Sequence, residues 1–253
     1  ETTPDRLVQR ADLAVQTAKA AQSRIAYYDR SMDRDKSEQL IMLGELTTAL
    51  ETDQLRLHYQ PQVDLTTMTV VGVEALLRWH HPNGSILSPS AFLPTAERTG
   101  LIRPLTSYVL THALAQREQW MSEGLELSIA VNISTRNLFD DTLIGQVCTA
   151  LKEFACPPGR LTLEVTETSA MTDPVGATES LSILHAMGVQ VAIDDYGTGY
   201  SSLAYIERLP VQELKIDRTF IGGMARNPAH AAIVRSTVEL ARTLGLSVTA
   251  EGG

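Results

Sequence analysis

Val191-Ala-Ile-Asp-Asp-Tyr-Gly-Thr-Gly-Tyr-Ser-Ser-Leu203 runs from an apolar segment through two adjacent acids into a turn punctuated by glycine. The apolar residues suit a buried strand, and Gly197 and Gly199 suit a chain that bends sharply just after it. Two neighbouring carboxylates at the end of a buried strand repel each other and resist burial. Asp194 and Asp195 therefore require a positive partner, and a divalent cation is the simplest one. Further ligands are expected elsewhere in the chain.

Outward from this stretch, the same strand-then-helix unit repeats. Strands are expected near 126–133, 161–166, 189–194, 211–216 and 246–250, and helices near 102–121, 140–155, 174–187 and 228–244, with a short helix after Gly199. Upstream, Leu55–Gln62 and Thr69–Trp79 both read as strands, separated only by Val63–Met68. A parallel crossover needs about a dozen residues or more, so this pair forms an antiparallel hairpin. Repeating βα units with apolar strands indicate a parallel sheet covered by helices, open or closed. Seven strands are countable, so a (β/α)₈ barrel would lack its last strand and helix here. Before the hairpin, residues 31–52 read as a helix with Leu40, Leu43, Leu46 and Leu50 on one stripe. Residues 5–21 carry apolar positions at helical spacing, and Ile25-Ala-Tyr-Tyr28 reads as a short strand.

The 253 residues are 43% hydrophobic, ample for a core, and 30 acids against 21 bases give a net charge of −9. With no Lys/Arg block, a role on nucleic-acid duplexes is excluded. Cys148 and Cys156 make neither a disulfide framework nor a close metal-binding pair, and read as buried free thiols in a reducing, cytoplasmic setting. No apolar run reaches the ~18 residues of a membrane span, and the chain opens without signal-peptide character. Any membrane anchor would belong to a longer parent. Both ends, Glu1 without a methionine and Gly252-Gly253 after an apolar run, read as cuts from something longer.

Each expected strand carries near its end a polar residue foreign to an apolar run: Glu74, Asn132, Glu164, Asp194 with Asp195, Lys215 and Glu251. The carboxyl ends of parallel strands converge on one face, where active sites form. Carboxylates with an amide and a lysine make a hard oxygen cage suited to Mg²⁺ or Mn²⁺. The acids are too many for one ion, and two ions together polarise a phosphoryl group and activate water. Lys215 would bind the attacking water or a phosphate oxygen. The chemistry expected is metal-assisted phosphoester hydrolysis. The histidines add nothing: His80 and His81 are adjacent and cannot both face one site on a strand, and His58, His112, His185 and His230 are scattered.

Seven motifs name what the physics leaves open. Tyr59-Gln-Pro61, Glu74-Ala-Leu76 within Glu-Ala-Leu-Leu-Arg-Trp, Val131-Asn-Ile-Ser134, Leu163–Thr168, Asp194–Leu203, Leu214-Lys-Ile-Asp217 and Thr249-Ala-Glu-Gly252 occur in order. Together they resemble the EAL family of cyclic di-GMP phosphodiesterases. The resemblance implies a TIM-like (β/α)₈ barrel with its first strand antiparallel, and hydrolysis of cyclic di-GMP to linear pGpG. It implies Glu74, Asn132, Glu164 and Asp194 as ligands of one metal, and Asp194, Asp195 and Glu251 as those of a second. Lys215 with Glu251 resembles the catalytic pair that positions and activates water. Gln60, Leu76, Arg78 and Asp217 match substrate-contacting positions, Asp217 as a polar partner near Lys215. Glu167 matches a residue that steadies the loop after Asp195, and a homodimer through this domain is implied as well. The alternative within the family is a cyclic di-GMP receptor that does not hydrolyse, but such receptors usually lose metal ligands and here the ligands are intact.

Ala11-Asp-Leu-Ala-Val-Gln-Thr-Ala-Lys-Ala20 is similar to the closing helix of a GGDEF (diguanylate cyclase-type) domain. Residues 1–30 are then a C-terminal fragment of such a domain without its signature loop, 31–53 a linker helix, and 54–253 an EAL domain incomplete at its C-terminus. Two departures stand out. Tyr196 replaces the usual Phe, and the family pattern continues past Glu251 with a second glutamate, a helix and a strand bearing a glutamine.

Overall fold

The structure, a computed structural model, describes residues 4–20, 25–29, 31–199 and 203–252. Two helices, α1 (Pro4–Ala20) and α2 (Ser31–Glu51), lead into strands β1 (Leu55–Asp64) and β2 (Thr69–His80). These pair antiparallel, as the short connection demands. The Asp64 carboxylate closes their turn by accepting from the Thr66 and Thr67 N–H groups. A short β3 (Ile86–Leu87) folds back on β2, and α3 (Pro89–Thr99) and α4 (Ile102–Ser122) follow.

The alternating part runs β4 (Ser128–Asn132), α5 (Thr135–Leu138), α6 (Leu143–Glu153), β5 (Leu161–Thr166), α7 (Glu167–Thr172), α8 (Pro174–Ala186) and β6 (Gln190–Tyr196). It continues through α9 (Leu203–Ile206), β7 (Glu213–Ile216), α10 (Arg218–Gly223), α11 (Pro228–Leu244) and β8 (Ser247–Ala250). The main sheet path is β1-β2-β4-β5-β6-β7-β8, parallel from β2 onward. This is a TIM-like barrel sheet with an antiparallel first strand. Among the described residues no pairing joins β8 to β1.

Alternation along β2 shows which face does what. Val73, Ala75, Leu77 and Trp79 are buried, whereas Glu74, Leu76, Arg78 and His80 are half-buried on the opposite face. The main core packs helices against the outer face of β2 and β4–β7. A second core of Leu46, Ala49, Leu55, Leu77, Trp79, Phe92, Ala96, Ile102 and Leu105 ties α2, α3 and α4 to the end of the hairpin.

Several expectations change. Among the described residues, 25–29 adopt no strand and lie outside the sheet, so the short strand expected over Ile25–Tyr28 does not form. The leucine stripe on α2 is buried only in its second half. Leu46 is fully buried, but Leu40 is 62% exposed, because the first turns extend beyond the second core. Helix α3 was not among the expected elements. Pro89 sits in the first turn, where no N–H is required, and the helix tolerates Pro94 while burying Phe92 and Ala96. The helix expected from 140 starts at Leu143, because the Asp140 carboxylate forms an Asx turn with Thr142. No described helix is long and apolar enough to cross a membrane.

Candidate active site

Parallel register carries the polar residues to one end of the sheet. Asn132 lies beside Glu164, Thr166 beside Asp194, and Lys215 beside Thr249, two residues before Glu251. All project from the face opposite the helices. At their centre is the Lys215 ammonium, 1% exposed. It lies 2.7 Å from Glu164 Oε2, 2.8 Å from Glu251 Oε1, 3.1 Å from Glu74 Oε2 and 3.2 Å from Asp194 Oδ1. Asn132 Nδ2 donates to Glu74 Oε1 at 2.7 Å. Burial alone would lower the Lys215 pKa, but the carboxylates of Glu164, Asp194 and Glu74 outweigh it and hold the ammonium strongly protonated.

Adjacent residues on a regular strand face opposite sides, so Asp194 and Asp195 need a special arrangement to share a site. The pairing supplies it. Ile193 opposes Leu214 and Tyr196 opposes Ile216, so Asp194 and Asp195 together stand opposite Lys215 in a β-bulge. Asp195 adopts φ +54°, a conformation that costs a non-glycine residue about 1–3 kcal/mol. Its N–H donates to Asp194 Oδ1 at 2.9 Å. The kink brings ligand oxygens of Asp194, Asp195 and Glu251 within 4.8 Å of one another.

The residues fit divalent cations on two counts. Glu164 is 1% exposed, and its Oε1 is buried without a hydrogen-bond partner, an oxygen oriented for a cation. Burial also raises its pKa well above the usual carboxylate range, with Lys215 opposing. Furthermore, once ionised as metal ligands are, the five carboxylates Glu74, Glu164, Asp194, Asp195 and Glu251 would carry four negative charges beyond the one Lys215 balances, the sum that two divalent ions carry. Burial, then neighbouring acids, push the Asp195 carboxyl up; burial also raises Glu251 against the pull of Lys215. An all-oxygen donor set selects hard ions such as Mg²⁺ and Mn²⁺.

The turn after the bulge is clamped from below. Glu167, buried at the start of α7, accepts from the Gly197 N–H at 2.9 Å. Its Oε1 lies so close to Gly199 that a Cβ there would meet it at 2.7 Å. Gly197 has φ +98°, and a Cβ on it would meet the Phe220 ring at 3.0 Å. Asp217 caps α10 through the Thr219 N–H, and its carboxylate is one of the acids that push the Asp195 carboxyl up, after burial and Asp194. Gly197→Ala is therefore expected to lower stability by about 1–3 kcal/mol and to reduce turnover more than the loss of folded protein explains. Thermal melts and specific activity of the purified variant check this.

Beside Glu74 and Asn132 opens a groove of about 530 Å³, lined by Leu76 and Arg78 on one wall and by α3, α4 and α5 residues on others. Arg78 Nη1 donates to the Leu77 carbonyl at 2.8 Å. Gln60 opposes Glu74 across the hairpin on the same face, exposed and outside the groove lining. Asp217 also lies outside that lining and is committed to capping α10. Tyr200–Ser202 of the turn motif lie outside the described residues. The sequence reading missed three groove hydroxyls. Ser169 Oγ is 2.6 Å from Thr135 Oγ1 and 2.7 Å from Thr166 Oγ1. Thr166, one strand repeat beyond Glu164, was the available signal.

The EAL domain family matches residues 43–252. The bifunctional diguanylate cyclase/cyclic di-GMP phosphodiesterase MucR of Pseudomonas aeruginosa is 45% identical over 248 residues, which are 97% of this chain and 36% of that protein. The cyclic di-GMP phosphodiesterase PA2567 of the same organism is 36% identical over 228 residues, 90% of this chain and 39% of that protein. This chain thus spans less than half the length of these curated relatives. The solved complex of the PaMucR phosphodiesterase with c-di-GMP matches with a TM-score of 0.80 and 47% identity, covering 84% of this chain and 86% of that one.

Proposed function

This chain belongs to the EAL domain family, and we propose from this that it hydrolyses cyclic di-GMP to linear pGpG, using two Mg²⁺ or Mn²⁺ ions. The observation that carries the reading is the convergence of the other six polar strand-end residues around Lys215, with Glu164 Oε1 still unpartnered. Complexes and names of relatives support the substrate.

Glu74, Asn132, Glu164 and Asp194 would hold one ion, and Asp194, Asp195 and Glu251 the other. Bound ions would supply Lewis acidity toward a phosphoryl oxygen and lower the pKa of water. The remaining chemistry falls to the chain itself. Lys215, held by four carboxylates, orients them and balances part of their charge. The Glu251 carboxylate, raised in basicity by burial, is placed beside it to take up a proton from the attacking water. Arg78 on the groove wall is suited to a phosphate oxygen through charge-assisted hydrogen bonds, and Leu76 to the flat face of a base. Glu167 holds the turn that carries Asp195.

We assign residues 1–30 to the end of a GGDEF-type domain. The match to MucR covers 97% of the chain and so includes most of α1, and that relative is also a diguanylate cyclase by name. Residues 31–53 form the linker and 54–253 the EAL domain, although the family match from residue 43 and the buried Leu46 join the second half of α2 to the barrel. A cytoplasmic homodimer completes the proposal.

Incubation with cyclic di-GMP and Mg²⁺ or Mn²⁺, followed by chromatography, is expected to yield pGpG. Binding without turnover would instead support the receptor alternative. Ca²⁺ is expected to inhibit, because its larger and looser coordination spoils a tight two-ion geometry. Full turnover in Ca²⁺ alone counts against the metal assignment.

A further inference from the structure

Outside the oxygen cage, one pair of metal-ligating side chains meets across the hairpin. His58 Nε2 on β1 lies 3.3 Å from His80 Nε2 on β2, with ring centroids 5.5 Å apart and ring planes at 57°. The two residues are 22 positions apart in sequence. They share the face of the hairpin that presents Leu76 and Arg78, beyond the carboxylate cluster toward the rim of the groove.

The bland account is a single imidazole-to-imidazole hydrogen bond. At 3.3 Å it is longer than the usual 2.9–3.0 Å of such bonds. The same separation matches two nitrogen ligands on one tetrahedral ion. With Zn–N bonds of about 2.0–2.1 Å, the nitrogen-to-nitrogen bite is about 3.3–3.4 Å. Two cations share this face, and both are already engaged. Arg56 pairs with Asp53 at 2.8 Å, and Arg78 donates to the Leu77 carbonyl. His58 is exposed, so an ion has access from solvent.

We propose that His58 and His80 form a second metal site, a bis-imidazole site for borderline divalent ions such as Zn²⁺, Ni²⁺ or Cu²⁺, chemically distinct from the oxygen cage. Imidazole nitrogen favours these ions over Mg²⁺ and Mn²⁺, which prefer carboxylate oxygen. Binding uses the neutral rings, each through Nε2 with the proton on Nδ1, and solvent fills the remaining positions. The site does not depend on the substrate proposed above.

Electron paramagnetic resonance of the full chain with one equivalent of Cu²⁺, in excess Mg²⁺, tests it. The expected spectrum shows coupling to two nitrogens. His58→Gln and His80→Gln should each remove that pattern and weaken Cu²⁺ binding about tenfold or more. Asp194→Asn, which alters the oxygen cage, and His81→Gln, next in sequence, should leave it intact. Because Cu²⁺ binds nitrogen sites more tightly than Zn²⁺, only a large excess of Zn²⁺ should displace the copper. A purely oxygen-ligated spectrum, or two-nitrogen coupling that persists in both His58→Gln and His80→Gln, would overturn the proposal. Because His58 is exposed, its variant retains the fold, and circular dichroism of each variant separates lost binding from lost structure.

Discussion

Lys215→Ala is expected to abolish turnover and, in the presence of a chelator, to cost about 3–5 kcal/mol of stability. The ammonium is almost fully buried and lies within 3.2 Å of four carboxylates. Removing it leaves Glu164 and Asp194 buried among like charges with nothing to offset their desolvation. Partial protonation of Glu164, whose pKa is already raised, softens the loss without cancelling it. Divalent cations should restore much of the stability, since they supply the missing charge, but not the turnover. Lys215→Met, which keeps most of the aliphatic stem, should behave in the same way, showing that charge and not packing is responsible. Denaturant titrations with chelator and with Mn²⁺ measure both arms. A variant as stable as the parent in chelator would show that Lys215 does not hold the carboxylates together.

Glu164→Gln should separate stability from metal binding in the opposite sense. The substitution keeps the volume of the side chain, removes a buried charge from an acid-rich cluster and loses the 2.7 Å ion pair with Lys215. Relief of repulsion from Glu74 and Asp194 offsets much of that loss, so stability in chelator should change by no more than about 1 kcal/mol. The concentration of Mn²⁺ needed for half-maximal turnover should rise about 10–100-fold, with turnover itself greatly reduced. A structural role alone predicts the reverse, a large loss of stability with unchanged metal dependence. Titrating activity against Mn²⁺ beside an unfolding curve decides between them.

Much of the fold was legible because the signals that encode it are local. The six residues between Gln62 and Thr69 forbid a parallel crossover whatever the tertiary context, and β1 and β2 do pair antiparallel. Apolar runs ending in Glu164, Asp194 or Lys215 marked β5, β6 and β7 correctly to within a few residues. The failures occurred where local signals mislead. Helix α3, absent from the expected elements, is stabilised by Phe92 and Ala96 packing into the second core. Ile25–Tyr28 had the composition of a strand, yet residues 25–29 adopt no strand.

The candidate site divides in the same way. The sequence by itself determined which residues converge, because strand-end positions once per βα unit must meet at the carboxyl ends of a parallel sheet. Tertiary structure decided how they converge. Lys215, expected to bind the attacking water or a phosphate oxygen, is also shared among four carboxylates, an arrangement that depends on register between β2, β5, β6, β7 and β8. Asp194 and Asp195 reach one site only through the bulge opposite Lys215 and the left-handed backbone at Asp195. His58 read as scattered and His80 only as the neighbour of His81, and the hairpin brings the His58 and His80 nitrogens to 3.3 Å. Periodicity is a property of one strand, whereas a bulge and a cross-strand approach belong to two, and only the folded sheet contains both.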